Sequence, residues 1–172
     1  MSVSDELKAS CTENDDTVEE YANWQSKNET YWDNLYTTTQ QKIKGGDTSW
    51  KIILNYTFQN QKQTSGSALT YSPEDYVIAH VEQAGAGTAS PLYSDSVSMH
   101  YMGRLIPSTT YTSGLIFDKS WSNDTFNATT SRPAHSFIGL TYSSEGKAVS
   151  LVDGFTTALM SMHRGDHWTV YI

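Results

Sequence analysis

An α+β fold, with antiparallel strands gathered around a short helix, is what this sequence predicts. Three observations carry it. Residues 17–44 space their apolar side chains as one face of a helix. Residues 50–58 alternate Trp50, Ile52, Leu54, Tyr56 and Phe58 against Lys51, Ile53, Asn55 and Thr57, the period of a strand. Leu151, Phe155, Leu159 and Met162 return to helical spacing near the end of the 172 residues. Periods of 3.6 and 2 in separate stretches indicate segregated helices and strands.

The elements follow in order. Residues 1–16 are polar and predict a disordered tether. Thr17-Val18-Glu19-Glu20 has the form of a capping box, in which Thr17 and Glu20 exchange side-chain and backbone bonds. The helix it opens carries Tyr21, Trp24, Tyr31 and Leu35 on one face, interrupted by Asn28, and ends at Gly45-Gly46. After the strand at 50–58 comes a polar loop at 59–67, then a second strand at 76–82 with Val77, Ala79 and Val81 on one side. Residues 83–91, with Gly85 and Gly87, form a link. The pair is no nucleotide loop, because a third glycine, a Walker lysine and a following helix are missing.

A further strand is expected over 94–106, with Val97, Met99, Tyr101 and Leu105 on one face. Another begins at Ile116-Phe117-Asp118. Residues 121–133 are rich in Ser, Thr and Asn and should bulge out as a loop. Its two Asn-x-Thr triplets, at Asn123 and Asn127, match glycosylation sequons by chance in such a composition. Gly165 is the expected C-cap of the second helix, with His163 and Arg164 at its negative end. Residues 168–172 form the last strand. The organisation is thus a tether at 1–16, a helix-plus-strand extension at 17–75 and a domain at 76–172.

Composition removes several functions. Nineteen acidic against eleven basic residues, a net charge of −8, leave no footprint for a phosphate backbone, so nucleic acid is not an expected partner. Cys11 is the single cysteine and excludes an internal disulfide. The histidines His80, His100, His135, His163 and His167 bring no neighbouring carboxylates or cysteines of metal-ligand spacing, so no metal and no other cofactor is expected. No nucleophile elbow is present. The aromatic content, 11 Tyr, 5 Trp and 5 Phe, suits either a core or an apolar ligand pocket.

Five landmarks then stand in order: Val97-Ser98-Met99-His100-Tyr101-Met102-Gly103, Gly114-Leu115-Ile116-Phe117-Asp118-Lys119-Ser120, Phe137-Ile138-Gly139, Leu151-Val152-Asp153-Gly154-Phe155, and Ala158-Leu159-Met160 with Gly165 before a strand. Their order and spacing resemble FKBP-type peptidyl-prolyl cis–trans isomerases, and the Gly85/Gly87 link extends the resemblance back to about residue 76. The resemblance implies an antiparallel sheet wrapped on one short helix. It implies proline-containing polypeptides as substrates and a desolvated aromatic pocket that needs no nucleophile or metal. Prolyl isomerisation opposes amide resonance worth ~18–20 kcal/mol, and such a pocket favours the twisted state, which has lost that resonance.

By resemblance, Tyr101 flanks the proline ring, Phe117 is a wall, and Asp118 orients the amide or a neighbour. Val152 offers its backbone N–H to a substrate carbonyl, and Phe155 forms the floor. Leu151, Phe137 and Ile138 complete the substrate-binding set. From the residues alone, the core of an α+β domain is the favoured place for Tyr101, Phe117 and Phe155, and it is the ordered landmarks that reverse this. Three features depart from the family. Phe155 stands where tryptophan is usual. Ala134-His135-Ser136 replaces a phenylalanine wall, with Phe137 shifted. The family's final strand and pocket-covering loop have no counterpart before Ile172. A sheet lacking an internal strand leaves backbone groups unpaired, and a strand exchanged from a second copy would fill the gap. The alternative function is a non-catalytic FKBP-like peptide-binding or chaperone module.

Cys11, followed by Thr12-Glu13-Asn14-Asp15-Asp16, resembles the mature start of bacterial envelope lipoproteins, those of Bacteroidetes in particular. A lipid there would anchor the chain to a membrane surface in the cell envelope. A free thiol on a polar terminus, in a cytoplasmic protein, is the other reading.

Overall fold

The computed structural model describes residues 19–61 and 68–172. The tether, Cys11 and the Thr17 half of the capping box lie outside them. Helix α1 (Trp24–Lys44) precedes strand β1 (Trp50–Leu54) and one helical turn, α2 (Tyr56–Gln59). A 3-10 turn at Pro73–Asp75 leads into β2 (Tyr76–Gln83). Strands β3 (Ser96–Met99), β4 (Met102–Arg104), β5 (Ile116–Lys119), β6 (Ala134–Phe137), β7 (Thr141–Tyr142) and β8 (Ala148–Val149) follow, then helix α3 (Asp153–Ser161) and β9 (His167–Tyr171). The fold is α+β.

The central sheet has the order β1-β2-β9, antiparallel throughout. Trp50 stands opposite His80 and Leu54 opposite Tyr76, while Ile78 also faces Tyr171 across the other edge. Helix α1 covers one face: Tyr36 lies 5.8 Å from Tyr76, Tyr31 lies 6.5 Å from Tyr171, and Lys42 Nζ sits 3.7 Å over the Trp50 ring. Helix α3 covers the other, where Gly154 lets the chain approach Val77 and Ile172. Because side chains alternate, Val77 points to α3 and Ile78 to α1. That explains why consecutive residues Val77, Ile78 and Ala79 are all buried, with Ile138, Ala158 and Leu159 completing the core. Each such aliphatic side chain contributes ~1.5–3 kcal/mol by leaving water. Three two-stranded pairs, β3-β6, β4-β5 and β7-β8, stand apart from this sheet.

Several expectations are corrected. Helix α1 starts at Trp24, not 17, after Asn23 in a left-handed conformation. The Glu20 carboxylate is held by the 108–110 segment: the Ser108 hydroxyl, the Thr110 hydroxyl and the Thr110 N–H at 2.8 Å keep it well below the usual carboxylate range, at about 2. The inner face of α1 runs through Trp24, Asn28, Trp32, Leu35, Tyr36 and Thr39, and Tyr31 lies at its margin, 36% exposed and against Tyr171. Asn28 is accommodated by donating back to the Trp24 carbonyl at 2.7 Å, and Trp32 Nε1 donates to the Pro73 carbonyl at 3.0 Å. Gly45 and Gly46 do end the helix, returning N–H bonds to Gln41 and Ile43.

The strand expected at 50–58 stops at Leu54. Tyr56 N–H instead meets Thr157 Oγ1 at 2.9 Å, and Thr57 Oγ1 meets Asp153 Oδ2 at 2.5 Å, winding α2 onto the start of α3. The strand expected at 94–106 is broken at His100-Tyr101. Gly165 is not a C-cap. Helix α3 ends at Ser161, where Met162 turns extended, and Gly165 (φ 90°) closes the turn between His163 and Asp166. On the 151, 155, 159, 162 line Leu159 is buried and Leu151, Phe155 and Met162 are half-buried, but Thr156, Thr157 and Ala158 are buried as well, because α2 packs on the helix as the sheet does.

The link at 83–91 has a structural explanation. A Cβ on Gly85 would lie 2.3 Å from the Arg164 carbonyl oxygen, and one on Gly87 would lie 2.7 Å from the Arg164 nitrogen. The two glycines let this segment lie flat against the 163–166 turn. Asp166 locks them together: Oδ1 accepts the Gly85 N–H at 2.7 Å and Oδ2 the His163 N–H at 2.9 Å.

Candidate functional site

Tyr101 sits between β3 and β4, and Asp118 lies across from Gly103 on β5. The Tyr101 hydroxyl donates to Asp118 Oδ2 at 2.7 Å. That bond, with burial and the nearby carboxylate charge, raises the Tyr101 phenol above its ordinary value, since ionising it would oppose a carboxylate at contact. The Phe155 ring, on the first turn of α3, meets Tyr101 edge-on, with centroids 5.9 Å apart and planes at 64°. Three of the expected residues, from three elements remote in sequence, therefore meet.

Phe117 joins through a bulge. Gly103 pairs with Asp118 and Arg104 with Ile116, so Phe117 is the extra residue. A bulge re-aims the inserted side chain. Here the Phe117 ring lies across Gly103, so close that a Cβ there would fall 2.4 Å from its Cζ. Only glycine admits the ring. Gly103 is a site residue that the expected set omitted, although the Tyr101-x-Gly103 motif contained it. Ser120 is another, the serine two positions after Asp118. It accepts the Tyr101 N–H on its Oγ at 3.1 Å and donates its own N–H to the Tyr101 carbonyl at 2.9 Å.

The other expected residues divide. Val152 is the N-cap of α3, 65% exposed, and its N–H meets no acceptor among the described residues. Leu151 beside it is half-buried. Phe137 is 36% exposed on β6. Ile138 is fully buried and corrects the expectation: it supports β6 from the core and has no surface to offer a ligand. Phe117, at 64% exposure, leaves this an open aromatic surface rather than a closed pocket.

A shallow groove of about 510 Å³ lies elsewhere, between α1 residues such as Lys27 and Tyr31 and the Ile106-Pro107 segment. Among the described residues no group of three or more His, Cys, Asp or Glu could hold a metal ion, and no helix is long and apolar enough to cross a membrane. The Tyr101 site offers aromatic rings and one hydroxyl fixed on a carboxylate, and Val152, three residues before Phe155, carries a free backbone N–H at the start of the same helix. It suits an uncharged ligand with a carbonyl. No family model matches this chain, and neither a curated protein nor a solved structure matches it.

Proposed function

We propose that the chain binds X-Pro segments of polypeptides at the Tyr101–Asp118–Phe155 surface and catalyses their cis–trans isomerisation, in an FKBP-like arrangement of strands around α3. The observation that carries the reading is the contact of the Tyr101–Asp118 hydrogen bond with the Phe155 ring. Phe155 and Phe117 would bracket the proline ring, and the Val152 N–H would hold the preceding carbonyl. The twisted amide, with its resonance lost, would sit better against these rings than in water. No proton transfer is required, consistent with a site holding no general base beyond Asp118, which is engaged by Tyr101.

The test is isomerisation of an Ala-Leu-Pro-Phe peptide followed by exchange NMR, with wild type and Phe155→Ala. Acceleration by wild type that falls roughly tenfold or more in the variant, a loss of ~1.4 kcal/mol or more of transition-state stabilisation, supports the reading. Acceleration that survives Phe155→Ala unchanged overturns it. The exposure of Phe117 and Val152 favours a second reading, a non-catalytic module that binds such peptides without turning them over. Peptide-dependent shifts without acceleration would select it.

Substrates among exported proteins, anchoring in the cell envelope through a lipid on Cys11, and a homo-oligomer joined by an exchanged strand belong to the same proposal. Mass spectrometry of the chain from its native membrane fraction and light scattering of the purified protein test them. An unmodified Cys11 and a strictly monomeric mass would remove both.

A further inference from the structure

The strand that carries Tyr101 is interrupted at that residue. β3 pairs with β6 as far as Met99, and β4 resumes against β5 at Met102, opposite Lys119. The next antiparallel pair would be Tyr101 with Ser120, exchanging two backbone bonds. Only one forms, from Ser120 N–H to the Tyr101 carbonyl at 2.9 Å. The other is replaced: Tyr101 N–H goes to Ser120 Oγ at 3.1 Å, a side-chain acceptor competing with the ladder. The hydroxyl's own proton is left for His100 Nδ1, 3.4 Å away, in the tautomer that carries its proton on Nε2. His100 is backed by the edge of Phe126 (4.9 Å), and Phe126 by Trp121 (5.0 Å), both from the 121–133 loop.

We propose that Ser120 is a positioning residue: its hydroxyl, clasping the Tyr101 backbone, releases the strand from regular pairing and aims the Tyr101 phenol at Asp118. Without that hydroxyl, a half-buried N–H loses its acceptor. The chain then recovers the bond most simply by closing a regular pair with the Ser120 carbonyl, which rotates Tyr101 and parts it from Asp118. The side chain at 120 thereby acts on the site without touching a ligand. The binding arm of the test rests on the peptide-site reading proposed above; the titration arm does not.

The experiment follows the Tyr101 ring by NMR in protein with 13C-labelled tyrosine, assigned with Tyr101→Phe, and measures binding of the Ala-Leu-Pro-Phe peptide. Ser120→Ala is expected to bring the Tyr101 phenol down toward an ordinary tyrosine and to weaken peptide binding about fivefold, the loss of one neutral hydrogen bond. Ser120→Thr, which keeps the hydroxyl, is expected to hold both. An unchanged Tyr101 titration in folded Ser120→Ala overturns the inference, as does an equal loss in Ser120→Thr and Ser120→Ala, which would assign the effect to packing. Should Ser120→Ala not fold, Ser120→Cys, of similar size but a poor acceptor, is read in the same way. Absence of peptide binding by wild type would count against the peptide site alone, and the titration would still decide the role of Ser120.

Discussion

Replacing Asp166 by asparagine tests the junction between the Gly85 segment and the turn after α3. The side chain is 5% exposed, and its two oxygens accept the Gly85 N–H at 2.7 Å and the His163 N–H at 2.9 Å. Burial pushes the carboxyl up, but the two N–H groups and the His163 ring, 3.6 Å away, outweigh it and hold it below the usual carboxylate range. Asparagine keeps the shape and offers one acceptor oxygen. Its amide must then face one of the two N–H donors. One charge-assisted bond is lost, the other becomes neutral, and a buried donor stays unmet, for about 2–3 kcal/mol together. In a chain of this size that is roughly 5–10 °C in Tm.

Urea denaturation of both proteins from pH 7 downward measures the gap. The folded value of Asp166 lies below the unfolded one, near ~3.9. Its contribution is therefore complete above the unfolded value and disappears as pH falls through the folded one. The two stabilities should run parallel at neutral pH and converge below about pH 4. A gap under about 0.5 kcal/mol, or one that persists undiminished in acid, would refute the reasoning.

Gly85→Ala should destabilise by about 2–3 kcal/mol, because the new methyl meets backbone atoms of Arg164, Gly165 and Asp166 that cannot rotate away; calorimetry showing an unshifted transition would contradict this. Thr39 is fully buried with its Oγ1 unpartnered among the described residues, so Thr39→Val should leave stability unchanged or raise it by about 1 kcal/mol. A clear loss in thermal unfolding would mean that the hydroxyl has a partner. Trp32→Phe removes the donor to the Pro73 carbonyl and part of the ring area, and should cost about 1–2 kcal/mol in urea titration. A cost near zero would show that the helix docks without that bond.

Much of the fold was legible because periodicity reports burial. The strand at 76–82 and the end of α1 at Gly45-Gly46 were readable in this way, and β2 runs Tyr76–Gln83. What escaped were places where a polar side chain outbids the backbone ladder. Apolar residues hold every second position from Trp50 to Phe58, yet Thr157 and Asp153, about a hundred residues away, capture Tyr56 and Thr57 and turn the chain into a helix. Alternation also runs through Tyr101, where Val97, Met99, Tyr101 and Leu105 are each less exposed than their neighbours Ser98, His100 and Met102, but the ladder stops there for Ser120. The meeting of Tyr101, Asp118 and Phe155 followed from motif order. The bulge that turns Phe117 onto Gly103 did not, since nothing in the local pattern marks a residue as the unpaired one.

The position of β2 also sets an order of events in time. β1 can pair with it as soon as both have emerged, since Leu54 and Tyr76 are close in sequence. Its other edge must wait for β9, where Gln83 finally meets His167. At ribosomal rates of ~5–20 residues per second, that is roughly 4–17 s of synthesis. During this interval a strand buried on both faces in the finished protein keeps one edge open. Non-local closure of this kind is slow and exposes the chain to misassembly. A chaperone, or the early docking of α1, has its greatest effect within that window. Hydrogen-exchange labelling of stalled nascent chains should find the β2 amides that bond β9 unprotected until residue 171 has cleared the ribosome.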